Sequence, residues 1–261
     1  MLRELWVYRT YIYENAIADL RNRYAGSLLG VLWNIIQPLF QILIFTFIFS
    51  EIMVARLPGI DSASAFATYL CAGILPWGAF TDTVLRGTNA LVVNATYLKK
   101  LPVPEHIFIA QVVLSSFLLL SVSMILLLIV VLINGGMITS MWLLMVPLLM
   151  LFQLFGFGIA LTFGVINVFF RDVGQFLGTL IQIWMWMTPI VYLKEIVPDY
   201  LQDIFLYNPA FWFIDSLHKI IVFSELPSLM HWIVMASVTI ISLVTGSLVL
   251  KKLRSEIRDV L

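Results

Sequence analysis

Hydrophobic residues form long, nearly uncharged runs along this chain, separated by short segments that carry most of the charge. A helix needs about 20 consecutive apolar residues to cross the hydrocarbon core of a bilayer. The run over residues 107–170 contains no Asp, Glu, Lys or Arg, and it is too long for one crossing. It has to turn back, and Asn134-Gly135-Gly136 is the obvious turn. The pattern therefore predicts an all-α membrane protein whose six transmembrane helices lie near residues 28–50, 64–88, 107–133, 141–166, 173–193 and 226–250.

The first 27 residues precede this membrane domain, which is expected over residues 28–261. Residues 1–27 are expected to form an amphipathic helix in the membrane interface, because their apolar side chains share one narrow arc of a helical wheel. The arc contains Trp6, Tyr13, Ile17, Leu20 and Tyr24, and it excludes Glu14, Asn15, Asp19, Arg21 and Arg23. A solvated helix that packs on another protein is the alternative.

The segment between the fifth and sixth predicted spans is too apolar for a free loop. Each of its two stretches is too short to cross the membrane. Pro198 can begin a short helix, because its fixed φ suits a first turn, and Asn208-Pro209 ends it. A second short stretch then runs to about Phe223. Two re-entrant or surface-lying outer helices are predicted over residues 198–223, and one irregular cap is the alternative.

Composition and charge agree with a membrane protein and give it an orientation. Of the 261 residues, 61% are hydrophobic and 11% are charged, whereas soluble domains have about 25% charged residues. The 15 basic and 15 acidic residues balance, so no net field attracts nucleic acid. Twelve of the Lys and Arg residues fall on the side of the two termini, and only Arg56, Lys194 and Lys219 fall on the other. The positive-inside rule then places both termini in the cytoplasm.

Several common chemistries have no signature in this sequence. No Lys follows a Gly, so a Walker A loop is absent, and neither HExxH nor GxSxG occurs. Cys71 is the one cysteine, and the three histidines are scattered. Asp82 and Arg86 are spaced to pair on one helix face, where a structural or gating pair is expected rather than catalysis. The sequence thus predicts no catalytic and no metal-binding residues.

Polar side chains do recur at helical spacing inside two predicted spans. Uncharged amides avoid lipid, so these faces are expected to meet protein or a water-filled path. Amides with aromatic rings also suit a sugar pathway, with hydrogen bonds to hydroxyls and flat rings against sugar faces; interhelical packing is the alternative. The stripes are Asn34, Gln37 and Gln41 in span one, and Gln175, Thr179, Gln182 and Trp186 in span five, with Phe40, Phe47, Trp184 and Trp186 as candidate rings.

A series of short motifs follows in order along nearly the whole chain. Together with six spans and cytoplasmic termini, the series resembles the ABC-2 type membrane subunits that export polysaccharides. The motifs are Arg21-Asn-Arg-Tyr-Ala-Gly-Ser-Leu-Leu-Gly-Val-Leu-Trp33 with Pro38, Gly73-Ile-Leu-Pro-Trp77, Lys99-Lys100-Leu101-Pro102-Val103-Pro104, Asn167-Val-Phe-Phe-Arg171-Asp172, Thr188-Pro189-Ile190-Val191-Tyr192 and Tyr207-Asn208-Pro209.

The resemblance implies a homodimeric permease of the bacterial inner membrane that works with two separate ATPase subunits. ATP and Mg would bind to those subunits, and no cofactor would bind to this chain. The family's substrates are lipid-linked O-antigen or capsular polysaccharides and teichoic acids, and relatives include lipid and drug exporters. The implied ATPase-coupling residues are Arg21, Arg23, Thr96, Lys99, Lys100, Glu105, Arg171 and Asp172; Tyr192 joins the pathway, and Tyr207, Asn208 and Pro209 form an outer gate.

Two other function classes remain open at this point. A membrane enzyme acting on a polyprenyl-linked sugar would need converging carboxylates, and Asp199, Asp203 and Asp215 are the available candidates on the outer side. A secondary transporter would carry an internal inverted repeat, and none is visible. Copurification of an ATPase would separate the exporter from both alternatives.

Overall fold

The computed structural model describes residues 1–52, 64–136 and 138–260, all of them helical or irregular and none in a β-strand. Arg56, one of the three cations assigned to the outer side, lies outside the described residues. Over that part of the chain the α-helices are α1 (Leu2–Val7), α2 (Arg9–Asn22), α3 (Trp33–Phe47), α4 (Ala65–Val93), α5 (Ala95–Lys100), α6 (Glu105–Ile133), α7 (Met145–Phe169), α8 (Val173–Trp186), α9 (Asp199–Phe205), α10 (Pro209–His218) and α11 (Leu229–Val260).

The centre of the fold is a bundle in which α7 packs against α4 and α11, and α6 packs on α4. Gly158 permits the close approach of α7 to α11, because an added Cβ would overlap the backbone of Ser242. Stacked rings fill the interior between α4, α7 and α10, with Phe80 and Phe152 centred 4.6 Å apart and Phe152 and Phe213 4.8 Å apart. Burial of aromatic surface and close small-residue contacts therefore hold the long helices together.

Four helical segments are long and apolar enough to cross a membrane within the described residues: Gly30–Ser50, Glu105–Ile133, Ser140–Phe169 and Leu229–Ile257. They correspond to the first, third, fourth and sixth predicted spans. The second predicted span corresponds to α4, whose 29 residues include Asp82 and Arg86. The fifth corresponds to α8, which stops after 14 residues at Trp186, short of the predicted end at residue 193. The all-helical prediction is confirmed, and the six-span count stays a prediction.

The amino-terminal segment differs from the single helix expected over residues 1–27. It breaks at Tyr8 and ends at Asn22, so that two helices replace one. Ile12 and Ala16 are buried, in a helix that packs on α6. Trp6, which is 70% exposed, points away from the bundle. Asp19 and Arg23, which the helical wheel placed away from the apolar arc, turn inward toward α4 and α6.

The turns between helices follow the sequence signals closely. After α6, Gly135 takes a positive φ of 76° that favours glycine. Pro198 precedes α9, and Pro209 is the first residue of α10, with the Asn208 side chain accepting a hydrogen bond from the Ala210 amide. Both outer helices, of seven and ten residues, are too short to cross a bilayer.

Both ends of the described chain lie at the same end of the bundle, which we call the α5 end. Arg254 of α11 pairs with Glu105 of α6 at 2.9 Å, and Glu4 of α1 lies 3.5 Å from His106. The opposite end, which carries α9 and α10, is called the α10 end. An even number of crossings would produce this arrangement.

Candidate substrate pathway

A cavity of about 370 Å³ opens between α3, α4, α6 and the residues after α2, and we call it the α3 cavity. The polar stripe of α3 forms one of its walls, and rings from the preceding segment extend that wall. Gly78 of α4 lines the opposite side, where open space surrounds the position of a Cβ. The polar and aromatic lining residues are Arg23, Tyr24, Trp33, Asn34, Gln37, Gln41, Asp82, Ser116 and Ser123.

Hydrogen bonds fix several of these lining side chains. Tyr24 donates to Gln37 Oε1 at 2.7 Å, and Trp33 Nε1 donates to Ser27 Oγ at 2.9 Å. Asn34, which is only 7% exposed, donates to the Leu20 carbonyl at 3.0 Å and keeps a buried Oδ1 without a hydrogen-bond partner among the described residues. The cavity is therefore a preformed space with amide groups and rings held at its wall.

Four charged side chains lie at the base of the α3 cavity, and we call Asp19, Arg23, Asp82 and Arg86 the charge quartet. Arg23 contacts Asp82 at 2.8 Å and Asp19 at 3.4 Å, and Arg86 contacts both carboxylates as well. Two positive and two negative groups alternate, so the network is neutral. Neutrality matters here, because an unpaired charge deep in a membrane costs roughly 2.5–3.5 kcal/mol on insertion scales.

Two serines of α6 donate hydrogen bonds to the carboxylates of the charge quartet. Ser115 donates to Asp19 at 2.7 Å, and Ser116 donates to Asp82. Burial raises the pKa of Asp19, but the hydrogen bonds from Ser115 and Arg86 outweigh burial, so this pKa lies below its usual value. The carboxylate stays ionised at neutral pH and ties α2 to α4 and α6.

The polar stripe of α8 has a different environment. Gln175, Thr179, Gln182 and Trp186 all lie on the exposed side of the helix, whereas Leu177 and Ile181 are buried. Both α3 and α8 pack on α4. No hydrogen bond or ring contact joins the two stripes in the described part of the chain.

The candidate rings also separate into two groups. Trp184 packs edge-on against Trp77 and Phe80 in the core, with ring centroids 5.8 Å apart in each case. Phe40 and Phe47 are each 60% exposed and point away from the α3 cavity. Tyr192 donates to the Trp186 carbonyl at 3.0 Å, which fixes the segment that follows α8.

At the α10 end, Asn208 connects α8 with the outer helices. Its Oδ1 accepts from Trp184 Nε1 at 2.7 Å, and its Nδ2 donates to Thr188 Oγ1 at 2.9 Å and to the Met187 carbonyl at 3.2 Å. Tyr207 beside it is 88% exposed. A movement of α10 would therefore pull on the helix that carries the exposed polar stripe.

A second ionic group lies close by, formed by Asp215, Lys194, Lys219 and His231, and we call it the Asp215 cluster. Asp215 contacts Lys219 at 2.7 Å, His231 at 3.0 Å and Lys194 at 3.5 Å. Burial raises the pKa of Asp215, but the hydrogen bonds from His231 and Lys219 outweigh burial and hold this pKa well below its usual range. The cluster joins α10, α11 and the segment after α8.

The residues expected to contact an ATPase divide by exposure. Thr96, Lys99 and Lys100 are exposed on the short helix α5, which buried Leu98 anchors. Arg21, Arg171 and Asp172 are also exposed. Arg23 instead belongs to the charge quartet, and Glu105 is 1% exposed and paired with Arg254.

The end of α4 contacts or adjoins the two segments that carry exposed residues, α5 and the turn after α7. It leads directly into α5, and Asn167 of α7 connects it to the first turn of α8. Asn167 Nδ2 donates to the Thr88 carbonyl at 3.3 Å and to Asn89 Oδ1 at 3.2 Å, while its Oδ1 accepts from the Gly174 amide at 3.1 Å. The motif that runs from Asn167 to Asp172 therefore has a structural member at its start and exposed charges at its end.

Sequence reasoning missed the contribution of the segment before α3. Arg23 and Tyr24 line the α3 cavity together with Trp33, the first residue of α3, but the predicted pathway contains only the two polar stripes, the candidate rings and Tyr192. Their signal was present in the motif that begins at Arg21, which combines cations with rings. The pairing of Arg23 with Asp82 joins residues 59 positions apart and leaves no local signature.

Residues 11–222 match the sequence profile of the family described as ABC-2 type transporter. A protein named O-antigen export system permease protein RfbA from Klebsiella pneumoniae is 28% identical over 192 residues, which cover 73% of this chain and 72% of that protein. A Myxococcus xanthus protein of the same name is 27% identical over 267 residues, covering 99% and 98% of the two chains. The polysialic acid transport protein KpsM of Escherichia coli is 24% identical over 194 residues, or 74% of each chain.

Proposed function

Because the chain belongs to the ABC-2 type transporter family, we propose that it is the membrane-spanning subunit of an ATP-driven exporter of a lipid-linked polysaccharide, either O-antigen or capsule. The similar proteins named for O-antigen export and polysialic acid transport support this substrate class. The observation that carries the proposal is the α3 cavity, whose wall combines uncharged amides with the rings of Tyr24 and Trp33.

This lining suits a polymer of sugars. Amides of Asn34, Gln37 and Gln41 can exchange hydrogen bonds with hydroxyl groups, and rings can lie against the apolar faces of pyranoses. Arg23 and Asp82 face the same space but neutralise each other, so the wall attracts no particular charge. Weak binding at many such positions lets a long chain move rather than stay bound, as conduction through a pore requires.

The exposed stripe of α8 requires a partner outside this chain. We propose that it is a second copy, so that a homodimer encloses a path between the α8 stripes and the α3 cavities. Only 17% of the residues in the most apolar stretch of Gly30–Ser50 are buried within one chain, which leaves a large face for lipid or for the partner. The polar residues of α8 would then meet a sugar-filled or water-filled path instead of lipid.

The proposal includes six crossings in a bacterial inner membrane, with the α5 end in the cytoplasm. The charge quartet makes α4 acceptable as the second crossing because it is neutral. Helix α8 and the turns to residue 193 would form the fifth, and α9 and α10 would be re-entrant on the outer side. The distribution of Lys and Arg supports this orientation.

ATP hydrolysis would take place on a separate ATPase subunit, two copies per dimer, which holds ATP and Mg. The exposed residues of α5 and of the turn after α7 form the contact surface in this proposal. Arg23 and Glu105 would act as positioning residues, because each is paired inside the chain. At the other end, Asn208 would transmit movement between α8 and the outer gate.

The experiment enlarges one side chain inside the α3 cavity. Gly78→Leu adds bulk where nothing lies within 4 Å of a Cβ, so the fold should tolerate it while the cavity becomes narrower. We expect surface polysaccharide to fall strongly in cells carrying Gly78→Leu and little in the matched variant Gly78→Ala, with the ATPase copurifying normally in both.

A variant of the contact surface should lose the ATPase as well as export. Lys99→Glu with Lys100→Glu should lose copurification of the ATPase, because both side chains are exposed on α5. Normal export by Gly78→Leu at normal protein level would exclude the α3 cavity from the path. Normal copurification and normal export by the doubly reversed variant would exclude α5 from the contact.

A further inference from the structure

A second cavity, of about 680 Å³, lies at the α5 end between α1, α6 and α11, and we call it the α1 cavity. Three cations line it, Arg3, Lys251 and Arg254, together with one carboxylate, Glu4. Arg254 pairs with Glu105, and Glu4 lies beside His106. Arg3 and Lys251 have no ion pair in the described part of the chain, so the α1 cavity keeps an excess of positive charge.

A groove of about 270 Å³ between α6 and α7 comes next along α6, and we call it the α6 groove. Its lining is almost entirely apolar. Leu5 of α1 lines it, and so do the half-exposed side chains of Met150 and Leu154. The other lining residues are Ala110, Val113, Leu114, Phe117, Gln153 and Phe157.

One face of α6 joins the two spaces. His106 lines the α1 cavity, and Ala110, Leu114 and Phe117 continue the same face into the α6 groove at helical spacing. From His106 to Phe117 the helix rises about 16 Å. One leaflet of the hydrocarbon core is about 15 Å thick. The two spaces therefore follow each other along α6, the first basic and the second apolar, over about the depth of a single leaflet.

Two contacts hold the amino-terminal segment against its neighbours. Tyr8 donates to the Pro102 carbonyl at 3.3 Å, and Ser247 of α11 contacts Met1 Sδ at 3.3 Å. Trp6 and Val7, exposed on α1, can enter the membrane interface beside it. The site would thus be present before any ligand binds.

We propose that an anionic phospholipid binds here, with its phosphate between Arg3, Lys251 and Arg254 and one acyl chain along the α6 groove. A phosphate fits the excess of positive charge, and an acyl chain fits an apolar groove between two segments apolar enough to cross a membrane. The lipid would connect α1 with α6 and α11 and so hold the amino-terminal helix at the membrane surface. This inference does not depend on which substrate is exported.

The test uses the chain purified in a neutral detergent, with phosphatidylglycerol, phosphatidylcholine or inorganic phosphate added. Native mass spectrometry measures retained lipid, and the unfolding temperature measures stabilisation. The charge variant is Arg3→Gln with Lys251→Gln, and Lys252→Gln is its control, because Lys252 is exposed on the same helix but does not line the α1 cavity. Ala110→Phe fills the α6 groove and leaves the cations in place.

We expect phosphatidylglycerol to be retained and to raise the unfolding temperature, with little effect of phosphatidylcholine. The charge variant should lose retention on the order of tenfold, since two cations are removed. Ala110→Phe should also lose it, and Lys252→Gln should not. Equal retention of both lipids, or normal retention by the charge variant, would overturn the proposal. Stabilisation by inorganic phosphate equal to that by phosphatidylglycerol would also overturn it, because the ligand would then be a free anion.

Discussion

The polar stripes of α3 and α8 have nearly the same composition and spacing, yet they occupy different environments. Asn34 and its neighbours on α3 line the α3 cavity, where Tyr24, Asp82 and Ser116 face them from other elements. Gln182 and its neighbours on α8 lie on the exposed side of the helix. One stripe thus finds partners within the chain, and the other stays exposed on it.

The difference shows what an amphipathic pattern can and cannot specify. Spacing determines which side chains share a helix face. It does not determine whether that face meets the same chain, a second copy or solvent. On α3 the charge quartet brings α2 and α4 together beneath the stripe. No ionic group occupies the corresponding position at the stripe of α8 in the described residues.

The largest effect is expected where the α3 cavity rests on the charge quartet. Asp82→Asn leaves two cations facing one carboxylate, and breaking a partly buried pair of this kind should cost about 2 kcal/mol of stability. The unfolding temperature in detergent should fall by several degrees, and export should fall with it. Asp82→Asn combined with Arg86→Gln restores the charge balance and should recover much of the loss. A double variant less stable than Asp82→Asn would show that the network is not held by charge balance.

A smaller effect is expected on α8, where no internal bond is broken. Gln182→Leu should reduce export by roughly three- to tenfold, as expected for one lost hydrogen bond to the moving polymer. Protein level and copurification of the ATPase should not change. Ile183→Leu is the matched control, because Ile183 is 52% exposed on the same turn and stays apolar. If both variants export equally well, the α8 stripe is not part of the path, and the α3 cavity is the remaining candidate.

The smallest effect concerns acid and the Asp215 cluster. Because the pKa of Asp215 in the folded protein lies below its usual value, its contribution to stability is complete above about pH 4. The contribution is lost as the pH falls further, toward the lowered pKa. Asp215→Asn should lower the unfolding temperature by a few degrees at pH 7, and this difference should shrink below pH 4. A constant difference between the two proteins down to pH 3 would contradict the ionic role of Asp215.

The variant Asp215→Asn also allows a comparison of the two ionic groups, the Asp215 cluster and the charge quartet. Lys194 and Lys219 flank Asp215, and Lys194 is partly exposed, so water can solvate the charges that remain. Asp82 is 26% exposed and Asp215 is 11% exposed, so water reaches both carboxylates only in part. Asp82 lines the α3 cavity and Asp215 does not, so export should fall more in Asp82→Asn than in Asp215→Asn.

Much of the fold could be predicted, because its signals are local. Uninterrupted apolar runs predicted the spans of α3, α6, α7 and α11, and Gly135 and Pro209 predicted the ends of helices. The apolar run to residue 193 predicted too late an end for α8, although Pro189 is a local signal that ends a helix shortly before it. Hydrogen bonds from Asn208 and Tyr192 hold residues 187–193 in turns instead.

The site could be predicted only in part. The spacing of Asn34, Gln37 and Gln41 was sufficient to define one wall of the α3 cavity. The opposite wall comes from α4 and α6, and its base comes from α2, which the helical wheel had oriented with Asp19 toward water. A wheel considers one helix alone, whereas the orientation of α2 depends on Asp82, Arg86 and Ser115 from two other helices.

By itself the sequence determined the helices, their apolar faces and the membrane environment, because periodicity and composition act over a few turns of one helix. Only the tertiary structure decided which polar face became a cavity wall and which stayed exposed. It also decided that Glu105 is buried against Arg254 while Lys99 and Lys100 remain exposed. Those outcomes depend on contacts between residues far apart in the chain, because a charge can be buried at low cost only when an opposite charge from another helix pairs with it.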